Sequence, residues 1–220
     1  MPNPGEHHPA FEEYCECIFD LREDNLEVIQ ARIADRLRVS RPSVSEMVRR
    51  MQDEGLISLD GNHILLTQQG EQLARRVVRR HRLAERFLTD ILDLSWAQAH
   101  QEAGKWEHVM SEDVEKAIAR VLGNPTTCPH GNPIPGTNYQ PPAAMPLSQV
   151  GIGQSFTVSR VPEELEFTPG MLEFLEAHNL VPGGGGKVAG FGATGDMTLE
   201  VNGTQVDVES FATQRILVTL

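Results

Sequence analysis

The chain has 220 residues, 40% of them hydrophobic, which is enough for two small domains or one large one. No apolar run approaches the roughly 18 residues of a membrane span, and the start, MPNPGEHHPA, lacks the basic and apolar parts of a secretory signal. The three cysteines are an odd number, which argues against a disulfide framework. We therefore expect a cytoplasmic protein with free thiols that does not contact membranes.

The first third of the chain predicts three helices. Apolar residues recur at helical spacing over 9–21 and again over 28–37. Ser40 is a typical N-cap residue, Pro42 suits the first turn of a third helix, and Gly55 ends that helix.

A β-hairpin is predicted next, because two short apolar runs at 56–59 and 64–66 flank the turn-forming tip at 60–62. Helices, a capped helix and then a hairpin follow one another in the order of a winged helix-turn-helix. An unrelated small helical domain with a hairpin is the alternative.

The formal net charge of −12 at pH 7, taken alone, argues against nucleic acid as a partner. The arginines are concentrated, however: six lie within 31–50 against two acidic residues, and six more lie within 75–86. Locally basic helix faces on an acidic protein are compatible with DNA binding, although either cluster separately could be a solvated helix face.

A long helix is predicted from Thr67 to about Leu92, with Ser95 and Ser111 as N-caps of two more helices. Such apolar-faced helices beside a DNA-binding unit usually supply a dimer interface, so we expect a homodimer. Residues 123–146 predict a loop rich in Pro and Gly, whose second half is typical of a linker.

The residue pattern changes after Leu147. Short segments that alternate between apolar and polar residues, or are entirely apolar, are separated by glycines and predict a β-barrel of about 70 residues. One short helix is predicted over 171–177, and the glycines at 183–186 are interpreted as a loop. The overall fold class is mainly α with a small β domain.

Side chains that bind metals are dense in this chain. Glu13 and Glu16 are three apart on the first helix, and His81 and Glu85 are four apart on the long helix, so each pair shares a face. Carboxylate, imidazole and thiolate together suit a first-row divalent metal. Taken singly, the carboxylates could be solvated and the histidines ordinary surface or core residues. Further candidates are His100, Glu107, His108, Cys128 and His130.

Four stretches are specific enough to indicate a family: Ala31–Leu37 (ARIADRL), Arg80–Arg86 (RHRLAER), Trp106–Ser111 (WEHVMS) and Gly131–Gly136 (GNPIPG). With them the chain resembles the diphtheria toxin repressor family, which includes iron-dependent regulators and manganese transport regulators. The resemblance covers nearly the whole chain and weakens after Pro141. It implies a winged helix-turn-helix over 1–72, a dimerisation and metal-binding domain over 73–140, a linker over 141–147 and an SH3-like (FeoA-like) barrel over 148–220.

The resemblance implies a primary metal site formed by Glu13, Glu16, His81, Glu107 and His108. The chain departs from the family at Gly104, where iron sensors place a cysteine and manganese sensors usually a glutamate. Either the site has fewer ligands, or a backbone carbonyl or water fills the gap. Oxygen donors without sulfur favour Mn(II), whereas Trp106–Met110 looks more like the iron branch, so Mn(II) and Fe(II) both stay open.

A second, ancillary site is implied as well, which gives two metal sites per subunit. Its expected ligands are His81, Glu85, His100, Cys128 and His130, completed by a barrel carboxylate that is Glu163 or Glu164. Cys15 and Cys17 match no family ligand, and we interpret them as core or helix-packing residues.

The third helix is expected to enter the major groove N-terminus first. Its serines and Arg49 suit phosphates, while Arg41 and Pro42 are placed to approach base edges. Glu46 stands where iron-sensing relatives carry glutamine, so the operator is expected to differ. The candidate DNA-binding residues are Ser40, Arg41, Pro42, Ser43, Ser45, Glu46, Arg49 and Arg50.

These features together predict a repressor that binds double-stranded operator DNA as a dimer when it holds Mn(II) or Fe(II), and that controls genes of metal uptake and homeostasis. We expect no enzymatic activity and no small-molecule substrate. Two alternatives stay open. One is a winged-helix regulator that responds to a small organic ligand, with incidental histidines; the other is a metalloenzyme, for which the sequence offers no separate nucleophile or substrate pocket.

Overall fold

The computed structural model describes residues 8–220, so the N-terminal stretch in which we find no secretory signal lies largely outside the described residues. The first domain contains α1 (Pro9–Glu23), α2 (Gln30–Leu37), α3 (Arg41–Asp53) and the strands β1 (Ile57–Asp60) and β2 (His63–Leu66). The two strands pair antiparallel, which confirms the predicted helix order and hairpin.

Three longer helices follow: α4 (Gln68–Asp90), α5 (Trp96–Trp106) and α6 (Glu112–Val121). Each begins after a hydroxyl side chain that accepts a hydrogen bond from a backbone N–H of the first turn, as Thr67 and Ser111 do. Ser95 forms a reciprocal capping box with Gln98. Local capping chemistry therefore fixes where these helices start, and it was readable from the sequence.

The C-terminal domain contains six strands and three short helices. The strands are β3 (Met145–Pro146), β4 (Ser155–Arg160), β5 (Gly185–Phe191), β6 (Met197–Val201), β7 (Thr204–Val208) and β8 (Leu217–Thr219). The helices are α7 (Glu163–Glu166), α8 (Met171–Ala177) and α9 (Ser210–Thr213). The strands form one sheet in the order β3-β8-β4-β5-β6-β7, so the SH3-like domain is an open sheet with β3 and β7 at its edges.

The prediction that 183–186 is a loop is wrong for its second half, because Gly185 and Gly186 begin β5. A Cβ on Gly185 would collide with the backbone oxygen of Phe156, and one on Gly186 with that of Glu200. The glycines therefore permit close strand packing rather than a turn.

Three apolar cores hold the chain together. The first lies beneath the winged helix and includes the N-terminal half of α4, the second fills the sheet domain, and the third joins α4, α5 and α6. Trp96 at the start of α5 belongs to the core of the sheet domain, which seats that domain against the long helices. No helix among residues 8–220 is long and apolar enough to cross a membrane.

Candidate metal centre

A continuous line of potential metal ligands runs between the domains. Three groups have ligand atoms within 4.8 Å of one another, and His81 and Glu85 each belong to two of them. The line begins on α1, crosses α4 and α5, and ends in the loop after α6. The groups are Glu16–His81–Glu107, His81–Glu85–His100 and Glu85–Cys128–His130.

The primary cluster lies where α1 meets α4 and the end of α5. His81 Nδ1 is 2.5 Å from Glu107 Oε2 and 3.9 Å from Glu16 Oε1. His108 Nε2 is 3.1 Å from the other oxygen of Glu107. These groups surround a cavity of about 320 Å³, which Gly104 and Glu13 also line.

Glu13 itself is exposed, whereas its neighbour Glu12 is buried and its carboxylate is 2.8 Å from His108 Nδ1. Sequence reasoning paired Glu13 with Glu16 and missed Glu12. The spacing could have identified Glu12 in the sequence. Residues 12 and 16 are four apart and share a helix face, just as residues 13 and 16 do.

The ancillary cluster gathers side chains from α4, α5, the loop and the sheet domain. One oxygen of Glu85 is 3.1 Å from His81 Nε2 and 3.0 Å from His100 Nδ1. Cys128 Sγ is 3.8 Å from His130 Nδ1. His130 is fully buried, and its ring lies edge-on to Trp96 with centroids 4.4 Å apart.

The carboxylate that the sheet domain brings to this cluster is Glu166, not the expected Glu163 or Glu164. Glu166 Oε2 lies 2.9 Å from His130 Nδ1 and 3.3 Å from His100 Nδ1. Glu163 instead pairs with Arg82, and Glu164 with Arg215. The chain after Arg160 turns into α7, which places the cluster carboxylate one helical turn later than the family match suggested.

The histidines of these clusters hold protons tightly. Burial alone would lower the pKa of His100, but hydrogen bonds with Glu166 and Glu85 raise that pKa to about 9. Burial likewise opposes charge on His81 and His130, yet the carboxylates around each raise its pKa well above the ordinary value. The site is therefore organised around positive charge, which is carried by protons when no other cation is bound.

The carboxylates of these clusters differ in the direction in which their surroundings shift the pKa. Burial favours the neutral form of Glu85, but His130 and His81 hold the pKa of this acid well below its usual value. Burial and the nearby charge of Glu107 raise the pKa of Glu16 well above its usual value. Glu16 is thus a buried acid facing another acid, an arrangement that a cation would relieve.

The donors fit a divalent transition metal. The carboxylates of Glu85 and Glu166 lie 2.9 to 3.6 Å from the Nδ1 atoms of His100 and His130 in a largely buried space. Nitrogen, oxygen and sulfur donors gathered this closely can bind a cation together. First-row divalent metals accept this donor set.

A buried ion cluster, which sequence reasoning did not predict, lies beside the metal ligands. Arg82 is fully buried and pairs with Asp20 and Glu23 of α1 and with Glu163 of α7. Its guanidinium also donates to the carbonyl oxygen of Pro133. Four segments therefore meet at one side chain. Nothing in the local sequence around an arginine on a long helix predicts such a position.

The candidate DNA-binding residues are the N-cap of α3 and residues along that helix, which is largely exposed at these positions. Ser40 caps α3 by accepting a hydrogen bond from the Ser43 backbone N–H. The guanidinium of Arg50 lies 5.3 Å from the centre of the Phe11 ring on α1. The exposed members of the set are Ser40, Arg41, Pro42, Ser43, Glu46, Arg49 and Arg50, and Ser45 is half-buried. Their role at DNA stays a prediction.

Two protein families match the chain by sequence. The iron dependent repressor N-terminal DNA binding domain matches residues 8–63, and the iron dependent repressor metal binding and dimerisation domain matches residues 67–136. The iron-dependent repressor IdeR of Mycobacterium leprae is 52% identical over 126 residues, which cover 57% of this chain and 55% of that protein. The diphtheria toxin repressor of Corynebacterium diphtheriae is 43% identical over 145 residues, covering 66% and 60%. The chain thus matches little more than half the length of these curated relatives.

Solved structures extend the match to nearly the whole chain. A manganese-dependent transcriptional repressor in complex with manganese superposes with a TM-score of 0.83 at 30% identity, covering 95% of this chain and 99% of that one. The manganese regulator SloR has a TM-score of 0.77 at 30% identity, covering 97% and 99%. The IdeR of T. acidophilum has a TM-score of 0.76 at 26% identity, covering 95% and 97%.

Proposed function

Because the chain belongs to the diphtheria toxin repressor family of metal-dependent transcriptional repressors, we propose that it binds operator DNA as a homodimer when loaded with Mn(II) or Fe(II). Its regulated genes are those of metal uptake and homeostasis. The single observation that carries the proposal is the line of ligands joining α1 of the winged helix to α4, α5 and α7. The family consists of repressors, and the chain is not an enzyme.

We assign two metal sites to each subunit. The primary site takes Glu16, Glu107 and His108, with His81 at its inner side and Glu13 at its exposed mouth. The ancillary site takes His81, Glu85, His100, Cys128, His130 and Glu166. When bound, a divalent cation neutralises the facing carboxylates and joins donors that lie on separate elements.

The residues around the sites supply a route from the metal ligands to the reading head. The Phe167 ring lies edge-on to His100 with centroids 5.3 Å apart, and the Arg36 guanidinium lies 4.4 Å from the centre of the same ring. Arg36 also donates to the carbonyl oxygen of Glu163 at 3.2 Å. Since Arg36 belongs to α2, order at the ancillary site is transmitted to the winged helix, and DNA must in turn favour metal.

The choice between Mn(II) and Fe(II) is set chiefly at Gly104. A Cβ at this position would meet no atom within 4 Å, so the cavity keeps open space where a sulfur or carboxylate ligand would otherwise lie. Gly104 adds no sulfur ligand to a primary site rich in oxygen donors, which favours Mn(II), while Cys17 also lines the cavity. The manganese-dependent repressor with a TM-score of 0.83 supports Mn(II), and the iron-dependent repressor IdeR, 52% identical over 126 residues, supports Fe(II).

The DNA-reading surface, the domain bounds and the cytoplasmic location remain parts of this proposal. The exposed start of α3 supports the proposed DNA-reading surface. The proposed boundary between the winged-helix domain and the dimerisation domain, at residues 72 and 73, falls within α4. The first half of this helix packs into the core beneath the winged helix. Three free, buried cysteines support a reducing compartment.

The proposal is tested by measuring the binding of chelator-treated protein to a DNA fragment from upstream of its own gene, during separate titrations with Mn(II), anaerobic Fe(II) and Mg(II). Mn(II) or Fe(II) should induce binding and Mg(II) should not. Glu85→Gln should lose the response. Glu102→Gln, which removes the same charge from the surface of α5 where Glu102 pairs with Lys105, should retain it. Equal binding with and without metal would refute the proposal.

A further inference from the structure

Glu12 is the one buried carboxylate of the primary cluster to which neither the sequence nor the family resemblance gives a role. It lies in the first turn of α1, and only 5% of its surface is exposed. One of its oxygens is 2.8 Å from His108 Nδ1, and the other is 3.8 Å from Arg76 Nη2 on α4. A buried carboxylate needs such partners to remain charged, so its position is set by both contacts.

The contact with Glu12 decides which nitrogen of His108 carries the proton. A carboxylate only accepts hydrogen bonds, so the short contact requires a proton on His108 Nδ1. The lone pair of a neutral imidazole then lies on Nε2. That nitrogen is 3.1 Å from Glu107 Oε1 and borders the cavity of the primary site.

Two lone pairs facing each other at this distance repel, so a cation or a proton must lie between His108 Nε2 and Glu107. Glu12 thereby orients the ring and leaves Nε2 as the donor to the primary metal. We infer that Glu12 is a positioning residue of the primary metal site: it holds His108 in the metal-binding tautomer and ties the first turn of α1 to that site. This inference rests on the proposed function only in taking His108 as a ligand.

The same arrangement is a general device of metal sites, in which a histidine ligand donates its second N–H to a carboxylate. Loss of that carboxylate typically lowers metal affinity by about 10- to 100-fold. Glu12 differs from an ordinary outer carboxylate because it lies on another domain from the ligand it orients. One hydrogen bond therefore links metal affinity at the primary site to the position of the first turn of α1.

The test compares Glu12→Ala and Glu12→Gln in the full-length protein. Mn(II) affinity is measured from the free-ion electron paramagnetic resonance signal. All variants carry Trp106→Phe, because Trp106 precedes the primary-site residues Glu107 and His108, so that the fluorescence of Trp96, next to His130, identifies the ancillary binding step. Glu12→Ala should weaken the primary step by about tenfold or more. Glu12→Gln, whose amide oxygen still accepts from Nδ1, should recover most of the loss. Glu102→Gln controls for the removal of one negative charge.

Nitrogen NMR of ¹⁵N-histidine protein gives a readout that a merely structural role would not move. Wild type, at a pH where His108 is neutral, should show the proton on Nδ1, and Glu12→Ala should lose this preference. An unchanged primary affinity with an unchanged tautomer would overturn the inference, as would a loss in Glu12→Gln equal to that in Glu12→Ala. These measurements contain no DNA, so a negative result would overturn the role of Glu12 without bearing on metal-dependent DNA binding. Conversely, if the DNA-binding assay fails, the metal affinities and the His108 tautomer can still be interpreted.

Discussion

Metal binding at the ancillary cluster is expected to release protons, because its histidines hold protons that a metal ligand cannot keep. The pKa of His100 is about 9, since hydrogen bonds with Glu166 and Glu85 outweigh the effect of burial. At about pH 7, His100 is therefore almost fully protonated. His81 and His130, whose pKa values also lie well above the ordinary value, add further protons to the displacement.

The size of the effect follows from the pKa of His100. A pKa of about 9 lies some two pH units above neutrality, so protons weaken metal binding through this residue by about 100-fold, or about 3 kcal/mol, near pH 7. The contribution of His100 to the affinity should rise about tenfold per pH unit and level off as the pH passes about 9. The Cys128 thiol, whose pKa is raised by burial, must also lose its proton to bind metal. Any proton released by His81 or His130 makes the slope steeper.

The stability of the metal-free protein should change in the opposite direction. The folded-state pKa of His100, about 9, exceeds the ordinary value of 6.5, so its contribution to stability is fully present below about pH 6.5. That contribution, on the order of 3 kcal/mol, is lost as the pH rises through about 9. The thermal midpoint of the metal-free protein should fall across this range, while the rise caused by added Mn(II) should grow.

Calorimetric titration with Mn(II) in buffers of different ionisation enthalpy counts the protons directly. We expect at least one proton per ancillary site near pH 7, and fewer in His100→Gln. His63→Gln changes an exposed histidine at the end of the hairpin and should leave the count unchanged. A count of zero, or a metal-free protein whose midpoint rises between about pH 6.5 and 9, would contradict the electrostatic description of the cluster.

Four further changes test other parts of the structure. Gly104→Ala should stabilise the protein by about 0.5 to 1 kcal/mol in urea unfolding, because it removes a helix glycine where a methyl meets open space; a loss of stability would mean that the space is needed. Gly104→Cys should add a sulfur-to-metal absorption band with Co(II), and the absence of that band would show that position 104 does not face the ion. Arg82→Met should lower the free energy of unfolding by about 3 to 5 kcal/mol, because it leaves the buried carboxylates of Asp20 and Glu163 without their cation; a loss below about 1 kcal/mol would refute this burial argument. Phe167→Ala should reduce the effect of metal on DNA binding, while Trp96 fluorescence, read in a Trp106→Phe background, should still report metal at the ancillary site. An unchanged DNA response would remove the Phe167–Arg36 contact from the route to the reading head.

Local chemistry explains why so much of the fold could be predicted from the sequence. The hydroxyl caps at Ser40, Ser95 and Ser111 set helix starts through hydrogen bonds within one turn. The hairpin tip at 60–62 carries its own turn signal, and Gly61 has the positive φ that such turns use. Each feature depends on neighbours within a few residues, so a single sequence suffices to find it.

Contacts between distant segments explain what could not be predicted. Glu166 reaches His130 only because the sheet domain docks against α5 through Trp96, a contact without any local signal. Glu163 and Glu164 are equally acidic and adjacent in sequence, yet they face arginines. The family resemblance pointed to the acidic segment after Arg160 as a source of ligands, but only the packing of the domains decides which carboxylate meets the histidines.

The two ends of α1 are anchored differently from its middle, and this difference explains why a cation would change the position of the helix. At the C-terminal end, Glu23 pairs with both Arg82 and Arg160. At the first turn, Glu12 pairs with His108. In the middle, Glu16 faces Glu107, and burial together with that charge raises the pKa of Glu16 well above its usual value. The ends are therefore held by complementary charge, whereas in the middle the two acids must share a proton or a cation. We propose that metal availability is coupled there to the orientation of the DNA-reading domain.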